Sequence, residues 1–310
     1  MIKSFALGIY PRSEKLIAAT RKNDKKLPAM FQAEKKKLVG EQQKAKLSYV
    51  CDPLLDWNDM FRPFARVKGI SLGALNRFFE TNTFYRKLIV NDQLNGYGST
   101  VKSSLALSLL PKKKDVAACM PDPYTFTDLN ENKFYKNQTD YLFAIADMLN
   151  REAETLAKAK VKFIQLNAPS VAYKAGSVDI SLVKDAVERV KRNIKSKIYL
   201  HLYFGNVSKI FSKLLDIKID GLSIDLSTTD LNSIIGYKVD NGLCLGAVDA
   251  MNTKMENVKD VARTVSDAFD KMGPKEAYVS TGCDLEFLPY EFAVKKLSKL
   301  GAIARSVRYD

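Results

Sequence analysis

The second half of the chain alternates between two hydrophobic periods. Short apolar runs rich in branched and aromatic residues are each followed by a stretch with apolar positions at helical spacing. Val161 to Leu166 (VKFIQL) reads as a strand. Val178 to Ile194 reads as a helix, with Val183, Val187, Val190 and Ile194 on one face. The rhythm repeats with strands at Ile198 to Phe204, Gly221 to Leu226, Leu243 to Asp249 and Ala277 to Cys283. Helices are predicted over Val207 to Leu215, Thr229 to Tyr237, Asn257 to Met272 and Pro289 to Leu300. The last begins with a proline, which suits a first helical turn.

The first half is less regular. It offers three weaker strands, Phe5 to Ile9, Leu47 to Cys51 and Val116 to Met120, and a long helix over Tyr141 to Lys160. Repeated strand–helix units with short links imply parallel strands joined by right-handed crossovers. Eight strands close a barrel, so the expected fold is a single (β/α)8 TIM barrel over residues 1–310. An irregular insertion at about 69–108 is expected to carry a hairpin. The competing open doubly wound sheet usually shows a glycine-rich loop after its first strand, and none is present.

In such a barrel the chemistry sits at the C-terminal ends of the strands. The polar residues there are Asn167, His201, Tyr203, Asp225, Asp249 and Cys283. Period-two alternation puts His201 and Tyr203 on one face, Ser223 and Asp225 on another, and Thr281 and Cys283 on a third. If these faces point inward, the only histidine of the chain, a tyrosine, two carboxylates and a thiol converge on the barrel mouth. A His/Cys/Asp set is able to bind zinc, which takes N, S and O ligands in a tetrahedron. Taken singly, each residue also has a plain structural role: a core histidine, a small buried thiol, helix-capping carboxylates.

Charge adds a second theme. The 310 residues carry a formal net charge of +14. The basic residues cluster at Arg21-Lys22 with Lys25-Lys26, at Lys35-Lys36-Lys37 and at Lys112-Lys113-Lys114. Such runs suit solvated helix faces or an acidic ligand. No RNA-module signature, zinc-finger spacing or recognition-helix pattern accompanies them, so nucleic acid is not an expected partner. No apolar run reaches the roughly 18 residues a membrane helix needs. The N-terminus lacks a signal peptide's apolar core, and four cysteines without paired spacing suit reduced thiols. A cytoplasmic location is expected.

Several segments resemble the cobalamin-independent methionine synthase family. GLCLGAVDAMNTKMENV (242–258) is similar to its seventh-strand segment, and AYVSTGCDLEFLPYE (277–291) to the strand carrying its last zinc cysteine. LYFGN (202–206), DGLSIDL (220–226), LGIYPR (7–12), DWNDM (56–60) and FFETNTFYRKLIV (78–90) match in the same order along the chain. That family usually has two tandem barrels. The C-terminal one binds zinc, which activates homocysteine to take a methyl group from methyltetrahydrofolate. The N-terminal one lacks zinc and helps bind the folate's acidic polyglutamate tail. Several segments here, LYFG and NTFY among them, lie closer to the zinc-free barrel.

Carried over by position, the resemblance implies a metal set of His201, Asp225 and Cys283. Tyr203 stands where the family has a further cysteine, and Asp225 replaces a glutamate. Asn167-Ala168-Pro169 replaces Asp-Glu-Pro, and Ile9 a substrate-binding serine. The resemblance further implies catalytic roles at Asp249 and Tyr203, and substrate contacts at Asp56, Asp59 and Asn167. Two functions follow. One is a methyltransferase acting on homocysteine with zinc and a folate or related pterin donor. The other is a non-catalytic barrel that docks on a separate catalytic barrel and helps bind the folate tail. A third, the uroporphyrinogen decarboxylase-like branch, shares only the fold.

Overall fold

The structure is a computed structural model that describes residues 2–94 and 98–309. Eight parallel strands form one sheet in the order β1 (Lys3–Phe5), β8 (Glu276–Thr281), β7 (Gly242–Val248), β6 (Gly221–Asp225), β5 (Lys197–Leu202), β4 (Val161–Asn167), β3 (Asp115–Pro121) and β2 (Tyr49–Val50). From β2 to β8 each strand thus pairs with its sequence neighbour, and β1 pairs with β8 through Lys3↔Tyr278 to Phe5↔Ser280. The seam between β1 and β2 is bridged where the Ser48 N–H donates to the Ser4 carbonyl at 3.0 Å. The expected TIM barrel is the observed fold.

Five aromatic rings fill the N-terminal end of the barrel. Phe163 lies 4.6 Å from both Phe5 and Tyr199, and Tyr278 lies 5.2 Å from Tyr199 and 6.3 Å from Tyr49. The Tyr199 ring fits because Gly221 and Gly242 present no Cβ; one at either site would overlap it. This plug closes the bottom of the barrel, so ligands approach from the C-terminal mouth.

The helices outside follow their apolar stripes. Helix Ile180–Lys191 starts at Asp179, which accepts from the Ser181 N–H, and buries Val183, Val187 and Val190. Helix Val258–Met272 starts at Asn257 and ends at Gly273, whose φ of 66° is the left-handed cap glycine favours. Helix Tyr290–Ser306 follows the expected proline, which occupies the N-cap. Helix Gln138–Lys158 leads into β4. Between β6 and β7 the expected helix over 229–237 is only a 3-10 turn, Leu231–Ser233. Asp230 caps that turn and Gly236 follows it, so the apolar positions Leu231, Ile234 and Ile235 never complete a second α-turn.

The insertion carries the expected hairpin, strands Ile70–Arg77 and Phe84–Val90, followed by helix Thr100–Ser104. Residues 95–97 of the inserted segment lie outside those described. The hairpin leans over the barrel mouth. Phe78 and Phe79, at its turn, pack on Phe204 at 6.0 and 5.5 Å.

One basic run departs from its surface reading. Lys35 is buried and pairs with Asp52 at 3.0 Å and Asp56 at 2.7 Å, while Lys36 and Lys37 are exposed. Helix Leu27–Lys44 runs from the mouth toward the start of β2, with Lys35 level with Asp52 just past that strand's end. Lys26 lies nine residues earlier, so the basic turn Arg21 to Lys26 stands about 13 Å farther out on the mouth side. Lys112 to Lys114 precede β3, at the opposite end, where the Lys114 ammonium donates to the Leu47 carbonyl.

Candidate functional site

Register brings Asn167, His201 and Ser223 to one level at the C-terminal end of the sheet, Asn167 opposite His201 and His201 opposite Ser223. His201 Nδ1 shares a 2.8 Å hydrogen bond with Ser223 Oγ. The ring also lies close to the backbone of Gly282, in the turn after β8. It is 98% buried, and burial lowers its pKa to about 4, so it is neutral near pH 7. Tyr203 follows β5 and stacks on it, centroids 5.0 Å apart. The alternation that placed both side chains on one face holds in the fold.

Asp225 reaches the same turn from β6. Its carboxylate lies against Gly282, where a Cβ would overlap it. Both oxygens are occupied. Oδ1 accepts from the Ser227 N–H at 2.9 Å and hydroxyl at 2.7 Å, and Oδ2 accepts from Thr228 Oγ1 at 3.0 Å. Cys283 is buried, and burial raises its thiol pKa well above the ordinary value. The histidine, carboxylate and thiol therefore do gather around Gly282. As the side chains stand they do not fit a zinc ion, because both Asp225 oxygens are committed to Ser227 and Thr228. Among the described residues no group of three or more His, Cys, Asp or Glu stands in metal-holding geometry.

The remaining expected site residues take structural partners. Asn167 accepts from Gln165 Nε2 at 2.8 Å and is buried. Asp249 organises the turn after β7, accepting from the Met251 N–H at 2.7 Å and from the Asn252 amide. Asp56 pairs with Lys35. Asp59 accepts from the Phe61 N–H, from Arg62 and, at 3.2 Å, from the Arg86 N–H, which ties the hairpin to the loop after β2. Above His201 the mouth is filled by rings: Tyr203 contacts Phe204 at 4.7 Å, and Phe204 contacts the hairpin phenylalanines and Phe287.

The open space lies to one side, near the β1–β8 seam. A cleft of about 580 Å³ is walled by the turn Ile9–Arg12, by Trp57 and Asn58, by Thr83 and Phe84 of the hairpin, and by Glu286 and Leu288 to Phe292. Arg12 is fixed in its wall, donating to the Leu55 carbonyl at 2.7 Å and to Asn58 Oδ1 at 3.1 Å. An inner chamber shares Ile9, Asn58, Thr83, Phe84 and Glu286 with the cleft and adds Asp59 and Asp284. Burial raises the pKa values of both Asp284 and Glu286, and the neighbouring Asp284 adds to the rise at Glu286. His201, Asp225 and Cys283 line neither space. Asp284 and Glu286 were overlooked in the sequence, although two acids at i and i+2 directly after a barrel strand are a signal in themselves.

The family model described as the cobalamin-independent synthase N-terminal domain matches residues 59–272. A methionine synthase of Sulfolobus acidocaldarius is 23% identical over 306 residues, covering 96% of this chain and 89% of that protein. One from Saccharolobus solfataricus is 24% identical, covering 100% and 96%. Two solved structures share the fold. A B12-independent methionine synthase from Shewanella sp. W3-18-1 aligns with a TM-score of 0.77 at 19% identity, covering 98% and 96% of the two chains. A putative vitamin-B12 independent methionine synthase from Listeria monocytogenes aligns at 0.78 and 14%, covering both chains fully. With more than half of its length matched by the model, the chain belongs to the cobalamin-independent methionine synthase family, on the side of its N-terminal domain.

Proposed function

We propose that this chain is a zinc-free companion barrel of a methionine synthase system. It docks on a separate catalytic barrel and helps hold the acidic tail of the folate methyl donor. The observation that carries the reading is the occupied donor set around Gly282. His201 Nδ1 is shared with Ser223 and both Asp225 oxygens are taken by Ser227 and Thr228, and among the described residues no three His, Cys, Asp or Glu side chains stand in metal-holding geometry for the zinc that activates homocysteine. The exposed basic turn Arg21 to Lys26, projecting on the mouth side, supports the anionic partner.

The test is metal analysis and methyl transfer with purified protein, alone and mixed with a catalytic barrel from the same family. The expected result is no stoichiometric zinc and no homocysteine methylation by the chain alone. Added to the catalytic barrel, it is expected to tighten polyglutamyl-folate binding, and charge reversal at Lys22, Lys25 and Lys26 is expected to remove that gain. Stoichiometric zinc that disappears in His201→Ala and Cys283→Ser overturns the reading and restores the methyltransferase. An unchanged folate affinity on mixing overturns the companion role.

A further inference from the structure

The inner chamber presents the carboxyl groups of Asp284 and Glu286 beside Asp59, which is already paired with Arg62, and no basic residue is among its described lining. Asp284 is 95% buried, and its Oδ1 finds no hydrogen-bond partner among the described residues. Its other oxygen accepts only a long bond, 3.3 Å, from the Ile9 N–H. A buried carboxyl oxygen left without a donor is costly, and such groups in folded proteins ordinarily meet a ligand or water. The chamber offers about 10 Å³ for the centre of a water-sized group, roughly the minimum that holds one. It opens into the 580 Å³ cleft, whose walls are aromatic at Trp57, Phe84, Tyr290 and Phe292. Phe84 lines both spaces and is 52% exposed.

We propose that this chamber binds the primary ammonium group of a small amine whose apolar body lies in the outer cleft between Trp57, Phe84 and Tyr290. The ammonium supplies the donor that Asp284 Oδ1 lacks and places a positive charge beside Asp284 and Glu286. Its size matches the chamber, whereas a trimethylated nitrogen is too large. A metal ion is not the occupant, because the acids do not stand in a metal-holding arrangement. The aromatic walls take an apolar body and add cation–π attraction at the entrance. His201, Asp225 and Cys283 do not line the chamber, and the proposal does not depend on the companion-barrel reading.

The probe is 2-phenylethylamine, measured by titration calorimetry against two controls of similar shape, 2-phenylethanol and trimethyl(2-phenylethyl)ammonium. The amine is expected to bind at least tenfold more tightly than either control. Asp284→Asn, which keeps the shape and removes the charge, is expected to weaken the amine at least tenfold while leaving 2-phenylethanol unchanged. Glu286→Gln, at a partly exposed position, provides the same comparison if Asp284→Asn fails to fold. Equal binding of amine and alcohol, no amine binding at all, or full amine affinity in the folded carboxamide variants each overturn the site.

Discussion

Gly8 lies with its α-carbon against the carboxyl group of Asp284, a residue 276 positions away in sequence but adjacent across the β1–β8 seam. Its φ is 111°, a conformation side chains rarely adopt, and an added Cβ would overlap Asp284 Oδ1 and Cγ. Gly8→Ala therefore meets backbone strain and a steric clash at one site. It is expected to lower unfolding free energy by about 2–4 kcal/mol, measured by denaturant titration. Combining it with Asp284→Ala removes the clash but not the strain, so part of the loss is expected to return. No recovery in the double variant contradicts the contact.

The buried imidazole gives stability a defined pH dependence. In the unfolded chain His201 takes up a proton near pH 6.5, whereas in the fold burial delays this to about pH 4. Between those values the unfolded state binds the extra proton, so the folded state loses stability as pH falls and the loss is complete below about pH 4. The shift corresponds to about 3 kcal/mol at its limit. A His201→Gln variant lacks this titration. The stability of wild type relative to the variant is therefore expected to decline from pH 6.5 to 4 and to stay level above pH 7. A difference that does not vary with pH contradicts a neutral buried ring.

Much of the barrel is legible in the sequence because its signals are local. The alternation in IYLHLYF places His201 and Tyr203 on one face, and the rings do stack. Errors arise where one residue breaks a period. The first strand was expected over Phe5 to Ile9 but is Lys3–Phe5, since Gly8 turns the chain and the Tyr10 N–H bonds the Pro53 carbonyl. The site was less legible. Its residue types were found around Gly282, yet the hydrogen bonds that occupy them come from Ser223, Ser227 and Thr228, which carry no zinc-site signature. The cleft takes walls from four segments between Ile9 and Phe292, and no periodicity within one segment reports such a meeting.

Lys35 shows how a basic run can hide a core ion. Its ammonium sits between Asp52 and Asp56, and Asp52 also accepts from the Leu54 and Ala106 N–H groups. Lys35→Met keeps the volume but leaves Asp52 buried without its cation. A loss of about 3–5 kcal/mol is expected, measured by thermal or denaturant unfolding. Asp56→Asn removes the more exposed partner, whose side chain is 43% accessible, and is expected to cost under about 1 kcal/mol. Similar losses in the two variants contradict this asymmetry.

The hairpin rings act as a seal over the mouth, and thiol chemistry reports on it. All four cysteines are free and buried, Cys283 among them. Phe78 and Phe79 pack on Phe204, and Phe204 packs on Tyr203, whose hydroxyl feels the nearby Cys283. In native wild type, reaction with a disulfide reagent is expected only at the rate of unfolding. Phe78→Ala removes a ring that is 93% buried, at a cost of about 3–4 kcal/mol, and opens the seal at the hairpin. Cys283 is then expected to be labelled first, ahead of Cys244 inside the sheet, as mapped by mass spectrometry. If Phe78→Ala instead speeds labelling of all four cysteines equally, the ring supports the whole fold and the hairpin is not a local cover.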